Sequence, residues 1–506
     1  MTRIADLPDN VKSFIPCKSV TVRNDKDNYW VYKYKAVKLA NGNWASGGQY
    51  LIGKIIPGEG FVPNKRYRKE LAEAGKPHFS DEITDLAYGN YALLMTISSD
   101  VYQRLRKCFP ADRAAQIYSY GLILCANGFI YLDQINEIFS TSILSLEFKD
   151  YGFKMGYKAL AGLLGDLGRR GNPVSAFEQS LIDDSSRHVA IDGHVIRSMS
   201  ENNYLSEPGY KMNQLKAEQI NVLIAYDARN RSPLMYRTFR GSSVDKKSCE
   251  SFLKSRDFKD TKFVVDCGFY SEKILSFMSE NGNTYIIPVS SSNKHFKSVK
   301  ENLEYDGGEF VYRAGKKDSA RVIYHEEQLD ETTRLIVFKD VDENNSTRKS
   351  YKIKMDFGET GYTEEGYQQY CDWWGVYVLQ TNDKEPASQV YADYKDRWSI
   401  ETYNNYIKND ADFNALKMQD YYVQKGFDFI MLVTGLIHSS LNGAVLSLNK
   451  TSISTFDILL KARHMRMTKD KKEWKLHNTR TKDIELFQAM GFTPSETYVP
   501  LMRKAE

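Results

Sequence analysis

The sequence predicts an α/β chain built around a mixed sheet, and three observations carry that prediction. RHVAIDGHVI at 187–196, INVLIAYDARNRSPLMYRTFRG at 220–241 and KFVVDCGF at 262–269 are apolar segments of strand length, the middle one split by a polar DARNRS turn into an antiparallel hairpin. SEKILSFMSENG at 271–282 has helical spacing, and TYIIPV at 284–289 reads as one more strand. From 388 the pattern turns helical, through VYADYKDRWSIETYNNYIKND and then GFDFIMLVTGLIHSSL. Strands followed by helices packed back on them form an α/β layer.

Around that core the chain divides by pattern. Residues 1–80 are β-rich: YWVYKYKAVKL at 29–39, an NGN turn, and WASGGQYLIGKI at 44–55 make a hairpin signal. Residues 81–185 are helical, with RLRKCFPADRAAQIYSYGLILCA and YKALAGLLGDLGRR repeating apolar residues every three or four positions. Residues 186–289 form the first half of the core and 386–448 the second half. Between them, 290–385 reads as a β-rich insertion of short alternating segments, FVYRAG, ARVIYHEE and RLIVFKD, ending at WWGVYVLQTN. Residues 449–506 read as a basic helical tail.

Composition excludes several classes. With 506 residues, 42% hydrophobic and 26% charged, the chain is globular and long enough for about three domains. The charge balance, 69 − 65 = +4, is too weak to draw the whole molecule onto nucleic acid, so any such contact must come from local patches such as 65–69 or 461–475. Six dispersed cysteines without a C-x-x-C pair argue against a zinc ribbon or a disulfide framework and fit reduced thiols in the cytoplasm. The start, MTRIADLPDN, carries Asp6 and lacks the apolar run of a signal peptide. The uncharged stretch 429–449 could span a bilayer, but His438, Ser439, Ser440, Asn442 and Gly443 make it read as two buried helical pieces of a protein with no membrane partner.

Three acids stand out by position. Asp192 interrupts an apolar strand, where a carboxylate is costly unless paired or bound to a cation. Asp266 ends a second apolar strand just before Cys267-Gly268, and Glu401 lies on the helix expected from about Val390. If these elements are neighbours, three oxygen donors converge without His or Cys, a set that suits Mg²⁺ or Mn²⁺. Two such ions about 3.5–4 Å apart can activate an attacking oxygen and stabilise a leaving one. Tyr394, Arg397, Glu401 and Lys408 are spaced Y-x2-R-x3-E-x6-K, which puts all four within a stripe roughly 100° wide if one helix carries them. Such a stripe makes a poor core face and a good surface for holding a phosphate beside a metal ligand.

That spacing resembles the YREK signature of insertion-sequence DDE transposases, whose fold is RNase H-like. IDG at 191–193 is similar to their first-Asp motif and VVDCGFYS at 264–271 to their second, and the resemblance covers about 187–441. It implies an RNase H-like core holding two Mg²⁺ or Mn²⁺ ions on Asp192, Asp266 and Glu401, with Tyr394, Arg397 and Lys408 contacting phosphates of the transposon end. In related enzymes a Trp of the insertion stacks on a flipped base; Trp373 and Trp374 are the residues that could do so here, although adjacent aromatics beside a strand also pin a β layer. The partners implied are double-stranded DNA, as terminal inverted repeats and as target, and a second copy of the chain in the synaptic complex. Two other readings remain: an RNase H-fold nuclease that shares the triad without strand transfer, and a non-catalytic DNA-binding repressor, which needs no intact triad and against which the three acids argue.

Overall fold

Alternation in the first sixty residues becomes an antiparallel sheet of β1 (Val20–Asp25), β2 (Asn28–Lys38), β3 (Trp44–Ile56) and β4 (Gly60–Pro63), paired in sequence order. The computed structural model describes residues 4–502 apart from 27, 39–43, 75–82, 201, 210–216, 244, 302, 314–318, 411–414, 417, 451 and 472; the NGN turn expected at 41–43 lies outside the described residues. Val20, Val22, Val31, Ile52 and Ile55 close one face of the sheet against Leu7, Val11 and Tyr67. The basic run at 65–69 opens helix α1 (Lys65–Ala74), which turns Tyr67 inward. Residues 1–83 form one compact unit and 84–506 a second.

The second unit begins with a short strand, β5 (Asp85–Ala87), and helices α2 (Gly89–Ile97), α3 (Ser99–Cys108), α4 (Ala111–Asn127), α5 (Tyr157–Arg169) and α6 (Gly171–Asp183). They precede a mixed sheet of eleven strands among the described residues. Its centre is β6 (His188–Ser198), β7 (Glu218–Asp227), β8 (Ser232–Arg240), β9 (Lys262–Val265) and β10 (Thr284–Pro288). β7 runs antiparallel between β8 and β6; β9 lies parallel on the other side of β6, and β10 parallel beyond it. The DARNRS segment is the hairpin turn, with Arg231 at φ +52°.

The segment 290–385 differs from the β-rich expectation. It supplies strands β11 (Gly308–Arg313), β12 (Ser319–Gln328), β13 (Arg334–Asp340) and β14 (Val376–Thr381), but also helices α7 (Lys294–Glu301), α8 (Val341–Asp356) and α9 (Glu364–Tyr370). The physical reason is local: Asp340 caps α8 by accepting the Glu343 N–H at 2.9 Å, Asp342 and Glu343 occupy its first turn, and Lys354 its last. The strands are not a separate layer either. β14 pairs antiparallel with β10, so β11 to β14 prolong the central sheet.

Beyond the insertion come α10 (Ala387–Asp396), α11 (Trp398–Asn405), a π-turn at Tyr406–Asp410, and α12 (Tyr421–Ser447). The two pieces expected at 429–449 are one continuous helix, long and apolar enough to cross a membrane by length and composition, with most of its apolar stretch buried in the protein. Thr434 and Ser440 donate to the carbonyls of Ile430 and Leu436 at 2.8 and 3.1 Å, which lets a polar residue sit inside the helix without breaking it. α12 packs between α4, α5 and β8, burying Phe427, Phe429, Ile430 and Val433. The basic tail is not wholly helical: Arg466–Asp470 and Glu473–His477 form a hairpin that pairs with β5, because Met467 is a fully buried anchor within the run of charges and Lys471 takes the left-handed turn at φ +56°.

Candidate active site

Parallel pairing brings the first two acids together. Val265 lies opposite Ile191, so Asp266 leaves β9 at the level of Asp192 on the neighbouring strand. Adjacent strands run about 4.8 Å apart and registered parallel residues share a face. Asp192 Oδ1 accepts the Gly193 N–H at 2.9 Å, and Asp266 caps a short turn by accepting the Cys267 N–H at 2.8 Å.

The helical side brings the third. Asn404 on α11 donates to Asp192 Oδ2 at 2.6 Å, and Glu401 lies one turn before Asn404 on the same face. Burial pushes the Asp192 carboxyl above the usual range; its Gly193 hydrogen bond and the Arg397 charge oppose that, while Asp266 and Glu401 add to it. Arg397 sits among these acids: it bonds Glu401 Oε1 at 2.5 Å, and Glu401, Asp266 and Asp192 together with Tyr394 raise its pKa against the effect of burial. The i,i+4 pair on a solvated face that spacing alone allows is therefore a largely enclosed one, with Arg397 15% and Glu401 30% exposed at the side chain. Among the described residues no group of three or more His, Cys, Asp or Glu side chains is placed closely enough to hold a metal ion. The donors nonetheless fit a hard divalent cation: carboxylates only, mutually repulsive, and beside them the buried carbonyl oxygen of Asn404 without a hydrogen-bond partner.

The single helix assumed for the four-residue stripe does not form. At Arg397 the ladder tightens, with Arg397 N–H to Tyr394 O at 3.2 Å and Ile400 N–H to Arg397 O at 3.0 Å, both three-residue steps. Tyr394 ends α10, Glu401 lies on α11, and Lys408 falls in the π-turn, where the wider winding shifts its phase from the stripe. Tyr394 remains close to Arg397, whose guanidinium carbon stands 5.9 Å from its ring centroid. Both line a cleft of about 820 Å³ with Arg231, Lys395, Tyr312 and Trp398.

The two tryptophans named from sequence are packed. Trp374 stacks obliquely on Tyr351 at 5.0 Å and meets Tyr367 edge-on at 5.6 Å, and its carbonyl accepts from Asn344 at 2.8 Å. Trp373 lies against Phe296 at 5.3 Å. Trp398, which sequence reasoning passed over, is 70% exposed beside the cleft.

Sequence reasoning also missed what anchors α10. Asp393 is buried at the opposite ends of the same two strands, bonded by Lys262 at 2.5 Å, Gln389 at 2.8 Å and Arg229 at 3.3 Å, with His188 Nε2 at 3.4 Å; Lys262 also meets Asp383 at 2.6 Å. The signal was present as cations at the starts of β6 and β9, but nothing in spacing pairs them with 393. Burial pushes the Asp393 carboxyl up, yet bonds from His188 and Lys262 and the Lys262 charge outweigh it and hold it well below the usual range. A depressed carboxyl contributes stability that is present above its unfolded pKa of about 4 and fades as pH falls below it. Asp393→Asn is expected to cost about 3–5 kcal/mol at neutral pH, the range for breaking a buried pair. The gap from the parent chain, read from urea midpoints, should narrow steadily below about pH 4.

Residues 183–433 match the family model described as the transposase DDE domain. No curated protein matches the chain. A solved structure, the piggyBac transposase synaptic complex with hairpin DNA, aligns with 82% of this chain and 83% of its own at 12% identity and a TM-score of 0.37, a level that carries no argument about fold. The stretch from 183 to 433, which holds Asp192, Asp266 and Glu401, is thus the part of the chain that matches a transposase DDE domain, and the match supports a DDE transposase.

Proposed function

We propose that this protein is the transposase of an insertion sequence, cleaving phosphodiester bonds at terminal inverted repeats and joining the freed 3′-hydroxyl to target DNA. The observation that supports this best is the approach of Asp192 within β6, Asp266 just past the end of β9 and Glu401 on the facing helix to one arginine. The order β8-β7-β6-β9-β10, with the first three antiparallel and the last two parallel to β6, supports reading the core as RNase H-like. Asp192, Asp266 and Glu401 would hold two Mg²⁺ or Mn²⁺ ions, which when bound supply charge neutralisation at the scissile phosphate. Arg397 and Lys408 would hold flanking phosphates, Arg397 by its fork and Lys408 as a point charge. Tyr394, half-buried with its hydroxyl beside Arg397, is a phosphate contact and not a nucleophile. A homodimer in the synaptic complex completes the reading, with the exposed Trp398 as the base-stacking ring in place of the packed Trp373 and Trp374.

Purified protein, Mn²⁺ and a labelled duplex of the inverted repeats flanking the gene test it. Cleavage with joining supports the transposase, cleavage alone a nuclease of the same fold, and salt-sensitive binding alone a repressor. The tryptophans separate when DNA binding and unfolding are measured side by side. Trp398→Ala is expected to weaken DNA binding by about 1–3 kcal/mol, as for loss of one stacking ring, without lowering stability. Trp374→Ala is expected to cost about 3–5 kcal/mol of folding stability, measured by denaturant unfolding, because it empties an aromatic cluster.

A further inference from the structure

Asn404 is 4% exposed on α11, one helical turn after Glu401. Its amide nitrogen donates to Asp192 Oδ2, which fixes the amide's sense, since a flipped amide would set its oxygen against a carboxylate. The carbonyl oxygen is left buried with no hydrogen-bond partner among the described residues. An orphaned buried acceptor costs about 1–3 kcal/mol. Other buried oxygens lack partners, Asn90 Oδ1 in α2 among them, but Asn404 Oδ1 belongs to a side chain already bonded to one of the three acids.

Resting on the function proposed above, we infer that Asn404 is a fourth member of the acidic centre. Its N–H orients the Asp192 carboxylate, and its carbonyl oxygen is offered to the divalent cation or to that cation's water. A neutral hard oxygen serves Mg²⁺ and Mn²⁺ without adding to the repulsion among three carboxylates.

Mn²⁺ titration of the full-length protein without DNA, followed by calorimetry and by the paramagnetic resonance of free Mn²⁺, tests this in parallel with metal-free thermal melts. Asn404→Leu should weaken Mn²⁺ binding about 10–100-fold, the range for losing a group that orients or supplements metal ligands. Asn404→Asp, which keeps an oxygen at the site and adds charge, should bind Mn²⁺ more tightly than the parent. Unchanged Mn²⁺ affinity in a folded Asn404→Leu, with Asp192→Asn losing it, overturns the assignment of Asn404 and leaves the acidic centre standing. Should Asn404→Leu fail to fold, unchanged affinity in Asn404→Asp overturns it equally. If Asp192→Asn binds Mn²⁺ as the parent does, the metal reading of the acids fails, and the role of Asn404 with it.

Discussion

Replacing Asp192 with asparagine is expected to reduce strand cleavage by about 10²–10³-fold or more, the scale on which a single charge-stabilising group contributes, while leaving the melting temperature unchanged or higher. The second half of that result comes from the surroundings of the carboxylate. Burial and the nearby Asp266 and Glu401 raise the Asp192 pKa, so the charged form is disfavoured in the folded chain and a neutral isostere relieves that strain. The new amide can still accept the Gly193 N–H, and Asn404 can turn its carbonyl toward the NH₂ that replaces Oδ2. A variant that cuts as well as the parent, or one that loses activity only because it unfolds in a thermal melt, contradicts the assignment. Glu401→Gln should show the same loss of cleavage, and because it frees Arg397 from its ion pair it should not raise stability.

The largest purely structural effect is expected where α5 and α12 cross. A Cβ on Gly426 would stand 1.9 Å from the Leu164 carbonyl oxygen, and one on Gly168 would stand 2.0 Å from that of Tyr422. The obstacle in both cases is backbone, which cannot rotate aside as a side chain would. Gly426→Ala should therefore cost about 3 kcal/mol or more, at or beyond the upper end for overpacking a core. Gly443, later in the same helix, has no atom within 4 Å of an added Cβ. There alanine should stabilise by up to about 1 kcal/mol through helix propensity alone. Opposite signs from one substitution type in one helix, read from denaturant midpoints, separate close packing from a general effect of glycine.

Much of the centre was legible because it rests on local pattern. Two apolar runs each tipped or broken by an aspartate become β6 and β9, which pair as parallel neighbours with Val265 opposite Ile191. Glu401 was legible through its spacing from Tyr394 and Arg397. What escaped was set by distant partners or by hydrogen-bond detail. Nothing near Lys262 marks it as the mate of Asp393, and nothing in YNNYIKND marks the change from α to π winding that carries Lys408 out of the stripe. Asn404 had a signal, three residues after Glu401 on the same helical face, but an asparagine there is as easily solvated as bonded. The helix α8 was readable in DVDENNSTRK, with Asp340 as its cap, and was masked by the alternating segments around it. The hairpin at 466–477 hid because one methionine, Met467, is the whole of its deeply buried apolar anchor.

The pairing of β10 with β14 has a consequence for how this chain tolerates change. Ile286 lies opposite Thr381 and Pro288 opposite Leu379, so the excursion from 289 to 375 departs and returns at one doorstep. The run into the helices bearing Glu401 starts from a fixed point, whatever the length or content of the loop thrown outward. The strands of the excursion also seat α10, since Tyr391 donates to Asp340 at 2.9 Å and packs on Phe310 and Phe338, so only changes that spare this seat leave the reacting centre in register.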